Sequence, residues 1–155
     1  MFLIRIANAN YVLIQIDKFS DYALRILIAL TAYALEKLST SQIARMYGIL
    51  ENHLAKIAPQ LSKGGFVVSE SCRGGGLTLA VLAVDISIGA VLRALKKDEP
   101  VAECFGSNTS CAILPACSLR GPLLEAQEAF FAALVGYSLA DVAKAKGYLK
   151  DLIAV

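Results

Sequence analysis

Residues 39–65 read STSQIARMYGILENHLAKIAPQLSKGG, the pattern of two short helices joined by a tight turn. Ser39 or Thr40 can cap the first helix, and Gly48 can end it. The second helix, from about residue 50 to residue 63, carries apolar residues at spacings of three and four, which is typical of a helix with one buried face. Two such helices around a glycine-containing turn indicate a helix-turn-helix.

A longer helix precedes this pair, and a β-hairpin follows it. Apolar residues between Lys18 and Leu35 recur at spacings of three and four and extend beyond one stripe, which predicts a largely buried helix. Residues 66–69 and 77–81 read as short strands on either side of a glycine-rich turn. A hairpin directly after a helix-turn-helix forms a wing. The predicted fold is therefore mainly α with a small β-hairpin wing, a winged helix-turn-helix followed by a long helix.

The second half of the chain is predicted to contain three helices and one long loop. The first helix spans about residues 87–97, and the loop runs from residue 100 to residue 117. A long amphipathic helix is expected over residues 119–134. Its predicted inward side consists of Leu123, Gln127, Phe130, Phe131 and Leu134. Ser138, with Asp141 three residues later, resembles a capping box for a last short helix.

Composition limits the class of protein. The chain has 155 residues, and its hydrophobic share of 57% is high for a soluble monomer, so some apolar surface is expected to face a partner subunit. The longest apolar run covers only residues 26–35, whereas spanning a membrane needs roughly 20 residues. The first 16 residues lack the basic cluster and cleavage site of a secretory signal. A cytoplasmic protein with reduced thiols is expected.

Charge is distributed unevenly along the chain. Residues 1–80 carry eight lysines and arginines against five acidic residues, whereas residues 81–155 carry seven against eight. The mildly basic first half is consistent with a surface that faces DNA.

Three of the four cysteines lie close together, in the pattern Cys104-x6-Cys111-x5-Cys117. Thiolates are the usual ligands of iron–sulfur clusters, and clustered cysteines in a reducing compartment indicate a metal or redox site. The gaps differ from the short cysteine pairs of structural zinc sites. Three unconnected thiols and a zinc site are the alternatives, with the sole histidine, His53, distant in sequence. A thiol-based redox enzyme is disfavoured because the chain has no Cys-x-x-Cys motif.

Polar residues of the helix-turn-helix are candidates for DNA contacts. Asn52, His53 and Lys56 lie on the polar face of the second helix, where asparagine can pair with adenine and lysine can meet guanine or phosphate. Ser41 and Gln42 begin the preceding helix, whose N–H groups can bind phosphate. A solvated polar face is the alternative explanation for each residue.

The wing turn supplies further candidates. Arg73 at its tip can enter the minor groove, a common use of arginine. Gly74 and Gly75 allow a tight turn there, and the glycine run lacks the Lys-Ser/Thr that completes a P-loop. Cys72 is expected to be a wing residue and not a cluster ligand.

In this order, the motifs resemble those of the winged-helix iron–sulfur transcription regulators, the NsrR/IscR-like family, over about residues 16–142. The stretches that carry the resemblance are KFSDYALR from Lys18, IAxxxG from Ile43, NHLxK from Asn52, GF from Gly65, RGGG from Arg73, ECF from Glu103 and CxxxxACxLR from Cys111. The tail, with EAQEAFF from Glu125 and YSLAD from Tyr137, is especially similar to the nitric oxide-sensitive members.

The resemblance implies a homodimeric, DNA-binding transcriptional repressor that is not an enzyme and whose long C-terminal helix forms the dimer interface. It implies a 4Fe–4S cluster on Cys104, Cys111 and Cys117, with nitric oxide as the signal. Asp21 of the partner subunit is the implied fourth ligand. Arg25, four residues after Asp21, can steady it by an ion pair, and an ordinary surface ion pair is the alternative.

The family contains two types of cluster. IscR-like members place a histidine shortly after the third cysteine, whereas residues 118–120 contain none, which favours a 4Fe–4S over a 2Fe–2S cluster. Reaction with nitric oxide would then release the double-stranded DNA operator. The alternatives are a regulator of iron or iron–sulfur status on the same scaffold and a non-regulatory zinc-binding interaction module.

Two residues depart from the family pattern. Pro59 falls inside the second helix of the helix-turn-helix, where an interior proline costs about 3 kcal/mol and kinks a helix. Glu51 is the second, because a carboxylate close to DNA phosphate would weaken DNA binding.

We divide the chain into an N-terminal extension (1–15), a winged helix-turn-helix DNA-binding domain (16–97), a cluster-binding loop (98–118), and a dimerisation helix with a C-terminal helix (119–155).

Overall fold

A computed structural model describes residues 16–34, 36–71, 74–96, 101–106 and 109–154 of the chain. The predicted extension over residues 1–15 lies outside these ranges. The helices and strands of the described residues are α1 (Lys18–Ala32), α2 (Thr40–Tyr47), α3 (Glu51–Lys63), β1 (Val67–Glu70), β2 (Gly76–Leu79), α4 (Ile88–Leu95), α5 (Arg120–Val135), α6 (Leu139–Val142) and α7 (Lys146–Ile153). Short 3-10 turns cover Ala83–Asp85, Glu103–Phe105 and Leu114–Ala116. The mainly α fold with one antiparallel hairpin is as predicted.

Helix α1 lies at the centre of the packing because most of its surface is apolar. Asp17 caps its first turn by accepting a hydrogen bond from the Ser20 N–H at 3.1 Å. The helix packs against α3, α4, α6, α7 and β2. It ends at Ala32 and not at the predicted Leu35. After it the chain leaves the helical path and reaches Leu38, which pairs with β2. The buried apolar residues of α1 are Ala23, Ile26, Leu27, Ala29 and Leu30.

Helices α2 and α3 form the predicted helix-turn-helix. Ser39 caps α2, and Gly48 ends it in the left-handed conformation with φ +62°. Helix α3 continues through Pro59, whose side chain lies on the exposed side of the helix. The predicted apolar stripe is confirmed, since all four of its members are buried: Leu54, Ile57, Ala58 and Leu61.

Strands β1 and β2 form the wing. They pair antiparallel, with Val67 opposite Leu79 and Glu70 opposite Gly76. An additional bridge joins Leu38 to Leu77 on β2. A Cβ on Gly76 would lie 3.0 Å from the Leu38 backbone, so this close approach favours glycine. The wing is thereby attached to the segment between α1 and α2.

Helices α4 and α5 pack tightly because Gly89 lets their backbones approach. A Cβ on Gly89 would lie 2.7 Å from both the Phe131 carbonyl oxygen and the Val135 nitrogen. The predicted inward side of α5 is confirmed, with Phe131 buried and Leu123, Gln127, Phe130 and Leu134 half-buried. The opposite side of α5 is also rich in apolar residues. The helix is therefore not amphipathic, contrary to the prediction.

The last two helices return to α1. The predicted capping box begins α6, with Ser138 accepting from the Asp141 N–H at 3.1 Å and Asp141 accepting from the Ser138 N–H at 3.0 Å. Helix α7, which was not predicted separately, packs against α1 and buries Ile153. Lys150 of α7 forms an ion pair with Glu36 at 2.8 Å. One hydrophobic core therefore includes side chains from both halves of the chain.

None of the helices in the described part of the chain is both long and apolar enough to cross a bilayer.

Candidate nucleic-acid interface and cluster-binding loop

The outer face of α3 is polar and exposed. Asn52, His53 and Lys56 all lie on it, opposite the buried stripe of the same helix. Glu51 precedes them in the first helical turn. The structure therefore brings the three predicted base-contacting residues together on one solvent-facing surface of α3.

The start of α2 is arranged differently from the expectation for phosphate binding. The Gln42 side chain accepts hydrogen bonds from the Ser39 N–H at 2.8 Å and the Ser39 hydroxyl at 2.9 Å. The Gln42 N–H in turn donates to the Ser39 hydroxyl at 3.2 Å. Ser41 lies beside this cap, with its hydroxyl 3.1 Å from that of Ser39. Gln42 is thus engaged in the capping box, whereas Ser41 lies at the edge of the box.

His53 is not only a surface residue, because it also contacts α1. Its ring packs edge-on against Tyr22, with the ring centroids 5.9 Å apart. The Arg25 guanidinium lies 5.7 Å from the Tyr22 ring centroid and 5.8 Å from the Tyr47 ring centroid. The aromatic–arginine group of Tyr22, Arg25, Tyr47 and His53 therefore joins α1, α2 and α3.

Asp21 belongs to the same surface of α1 as this group. Its carboxylate accepts from Arg25 twice, at 2.9 Å from Nη2 and 3.2 Å from Nε. The i,i+4 pair expected from the sequence is therefore present. Two parallel contacts hold a carboxylate in a defined orientation better than one does.

Sequence reasoning missed Tyr22 and Tyr47 as members of the aromatic–arginine group. Tyr22 lies three residues before Arg25, a spacing at which helical side chains are neighbours, so a signal for that contact was available. Tyr47 comes from α2, and its contact depends on how the helices cross. Burial raises the pKa of Tyr47, and the nearby Arg25 charge lowers it by a smaller amount.

The wing turn is described only in part. Gly74 has φ +78°, a left-handed conformation that favours glycine, and Gly75 follows it half-buried before β2. Cys72 and Arg73 lie outside the described residues.

The three clustered cysteines lie on the segment between α4 and α5. All three are free thiols of intermediate exposure. Cys104 is part of the turn over Glu103–Phe105, and Cys117 directly follows the turn over Leu114–Ala116. Arg120, at the start of α5, lies 4.9 Å from the Phe105 ring centroid and connects this segment to the helix.

The cysteine segment between α4 and α5 offers thiolate donors, but these donors do not surround a single point. Among the described residues, no three cysteine, histidine or carboxylate side chains form a group that could hold one metal ion. A cubane cluster uses a separate iron for each thiolate, so its ligands do not converge on a single ion. Three free, half-exposed thiols on one segment fit that donor set.

A winged helix-turn-helix that presents a polar face on its second helix defines the class of DNA-binding transcriptional regulators. A model of the Rrf2 family, described as an iron-dependent transcriptional regulator, matches residues 16–145. The chain therefore belongs to the Rrf2 family, and it is a DNA-binding transcriptional regulator and not an enzyme.

Similar proteins support this assignment over nearly the whole chain. The HTH-type transcriptional regulator NsrR of Bacillus subtilis is 39% identical over 141 residues, which cover 90% of this chain and 97% of that protein. The NsrR of Geobacillus kaustophilus is 38% identical over 141 residues, with coverage of 90% and 96%. The chain is thus an NsrR-like Rrf2 regulator.

Solved structures confirm the fold. CymR, the global cysteine regulator of B. subtilis, superposes with a TM-score of 0.64 at 22% identity over 86% of this chain and 98% of CymR. IscR of T. potens gives the same TM-score and identity over 85% of this chain and 88% of IscR.

Proposed function

We propose that this regulator is a repressor that senses nitric oxide through a 4Fe–4S cluster and leaves its operator when the cluster reacts. Cys104, Cys111 and Cys117 would hold the cluster. The observation that carries the proposal is that these three residues are free, half-exposed thiols on one segment of an NsrR-like chain. The 4Fe–4S form is preferred because no histidine follows the third cysteine.

The proposal includes a homodimer in which α5 packs against its counterpart. The side of α5 turned away from the core supports this, because it is rich in exposed apolar residues: Leu124, Ala126, Ala129, Ala132, Ala133 and Val135. Surfaces of this kind are rare on monomers.

Asp21 of the partner subunit would complete the ligand set. A carboxylate is a weaker ligand for iron than a thiolate, so the iron that it holds would be the accessible one. When bound, the cluster would supply the iron that reacts with nitric oxide. Arg25 orients the Asp21 carboxylate through the two contacts described above, at 2.9 and 3.2 Å.

The aromatic–arginine group gives a physical route from Asp21 to DNA. Arg25 contacts Asp21, Tyr22 and Tyr47, and Tyr22 contacts His53 on α3. If Asp21 no longer held a cluster, the Asp21–Arg25 pair could shift as a unit. We infer that α3 would then move relative to the operator, because a local chemical change biases its position.

In this proposal, residues 16–97 read DNA, residues 98–118 hold the cluster and residues 119–155 provide the dimer contact and the C-terminal helices. Helix α3 enters the major groove. The residues expected to contact the operator are Ser41, Gln42, Asn52, His53, Lys56, Arg73, Gly74 and Gly75. Gln42 would contribute through its position in the capped first turn and not through a free amide.

An anaerobic absorbance spectrum, recorded before and after stoichiometric nitric oxide, tests the proposal. A broad band near ~400 nm from thiolate-to-iron charge transfer, replaced on addition of nitric oxide, is expected. A colourless protein that contains zinc after expression with ample iron would contradict the cluster.

The variant Asp21→Ala tests the connection between subunits. It should retain a cluster but lower operator affinity by about tenfold, within the range typical of coupling between sites. Asp85→Ala, which removes an exposed carboxylate elsewhere, is the control and should bind as the unmodified chain does. Unchanged operator affinity in Asp21→Ala would refute the route through Arg25.

A regulator of iron or iron–sulfur status is the second candidate, favoured by the iron-dependent description of the family. It would release or bind DNA on iron chelation while remaining insensitive to nitric oxide under anaerobic conditions.

A further inference from the structure

Two side chains at the start of α3 have no role in the proposal so far. Leu50, the residue before the first helical turn, is 72% exposed. Glu51 follows it, also exposed. A large apolar side chain and a carboxylate in this place are unexpected on a surface that faces a polyanion.

Leu50 and Glu51 form one edge of a shallow, open cavity of about 580 Å³ between α2 and the start of α3. Ala44 and Ile49 add apolar surface, and Arg45 and Ser41 lie at its border. The cavity therefore combines an apolar area with a cation that can meet phosphate and a carboxylate that can accept a hydrogen bond.

The Glu51 carboxylate accepts one long hydrogen bond from α2. The Thr40 hydroxyl donates to its Oε1 at 3.3 Å. Its Oε2 accepts no hydrogen bond from any side chain or N–H group of the described residues. One oxygen is therefore oriented, and the other is available for an external donor.

The major groove offers a partner for each side chain. Residues at the beginning of a recognition helix contact base edges. Pyrimidines present two features there: thymine shows its 5-methyl group, which suits an apolar side chain, and cytosine shows its 4-amino group, which donates to a carboxylate. Near phosphates a carboxylate is repelled, so Glu51 penalises sequences that offer no donor.

We propose that Leu50 and Glu51 are specificity-determining residues, Leu50 contacting a thymine methyl group and Glu51 accepting a hydrogen bond from a cytosine amino group of the operator. The inference rests on the proposed entry of α3 into the major groove. The thymine and the cytosine of each half-site would lie against the beginning of α3, and Asn52 and Lys56 would contact the neighbouring bases.

The thymine contact is tested with the full-length, anaerobically purified protein. Its preferred duplex is first selected from random DNA, and each thymine is then replaced by deoxyuridine, which lacks only the methyl group. A single replacement of the contacted thymine, in one half-site only, should weaken binding about fourfold, the value of one buried methyl group. In Leu50→Ala the same replacement should change binding by less than about twofold. Leu82→Ala, which truncates an equally exposed leucine outside the helix-turn-helix (71% exposed), is the control and should keep the fourfold effect.

The cytosine contact is tested by repeating the selection with Glu51→Gln. A glutamine pairs with adenine, so one position in each half-site should change from cytosine towards adenine. If Leu50→Ala remains as sensitive to deoxyuridine as the unmodified chain and Glu51→Gln selects the same duplex, the assignment is wrong although DNA binding stands. If the unmodified protein selects no duplex, the entry of α3 into the major groove fails, and the assignment fails with it.

Discussion

The turn between α2 and α3 depends on the backbone of a single residue. Gly48 has φ +62°, and a Cβ added to it would meet nothing within 4 Å. Space therefore does not limit substitution there, but the left-handed conformation does. We expect Gly48→Ala to lower the free energy of unfolding by about 1–2 kcal/mol, measured by urea denaturation.

Gly147→Ala is the matched control for this prediction. Gly147 lies within α7, also has open space around its α-carbon, and has no left-handed φ. Alanine should stabilise the first turn of this helix by at most about 0.5 kcal/mol, because Gly147 lies near the helix end and not in its middle. Equal effects of the two substitutions would show that the left-handed conformation of Gly48 does not determine the loss.

The capping box of α6 has a consequence for pH. Hydrogen bonds from the Ser138 side chain and N–H, with a smaller contribution from Lys144, lower the pKa of Asp141 to about 2. Because this pKa lies below the ordinary value of 3.8, the stabilisation by Asp141 is present above pH 3.8 and is lost as the pH falls towards 2. Ser138→Ala should return the pKa towards 3.8 in a carboxyl NMR titration. Lys144→Ala should raise it less, and the reverse order would contradict the assignment.

At the scale of elements, the contact between α4 and α5 is set by Gly89. An added methyl group would lie 2.7 Å from the α5 backbone, so the two helices would have to separate. Gly89→Ala should cost about 1–3 kcal/mol, the usual cost of overpacking a tight interface. Thermal and urea denaturation measure the loss. Gly121→Ala, on α5 with open space around it, should show no comparable loss.

The elements that could be predicted from the sequence are those with local signals. The apolar stripe of α3, the cap before α2 and the capping box of α6 each lie within a few residues, and each was recovered. The role of Gln42 was not, because its side chain can face DNA or its own helix cap, and both satisfy its hydrogen bonds. Helix α7 was missed because its support comes from distant parts of the chain. It packs against α1, and Lys150 forms an ion pair with Glu36, which follows α1.

In the candidate site, too, features with local signals could be predicted, and features that depend on the packing of helices could not. The spacing of the three cysteines and the i,i+4 relation of Asp21 and Arg25 are local, so both could be inferred from the sequence. The contact of Tyr22 with His53 depends on the crossing of α1 and α3. No periodicity along the chain encodes that crossing directly.

At the scale of the whole molecule, the proposed dimer depends on the exposed side of α5. Leu124 on this side is 46% exposed in the single chain. Leu124→Glu would bury an unpaired charge in the proposed dimer, so we expect monomers in sedimentation velocity and a loss of operator affinity. Leu152→Glu, which changes a 62% exposed leucine on α7, should remain dimeric. Dimeric sedimentation of Leu124→Glu would exclude α5 as the interface.

The packing of α7 against α1 also has a consequence for biosynthesis. Glu36 and Lys150 are separated by 114 residues, and a ribosome adds about 5–20 residues per second. The part of α1 that α7 covers therefore stays open to solvent for roughly 6 to 23 s after it leaves the ribosome. During that time the nascent chain presents an uncovered apolar surface, to which we expect chaperones to bind before translation ends.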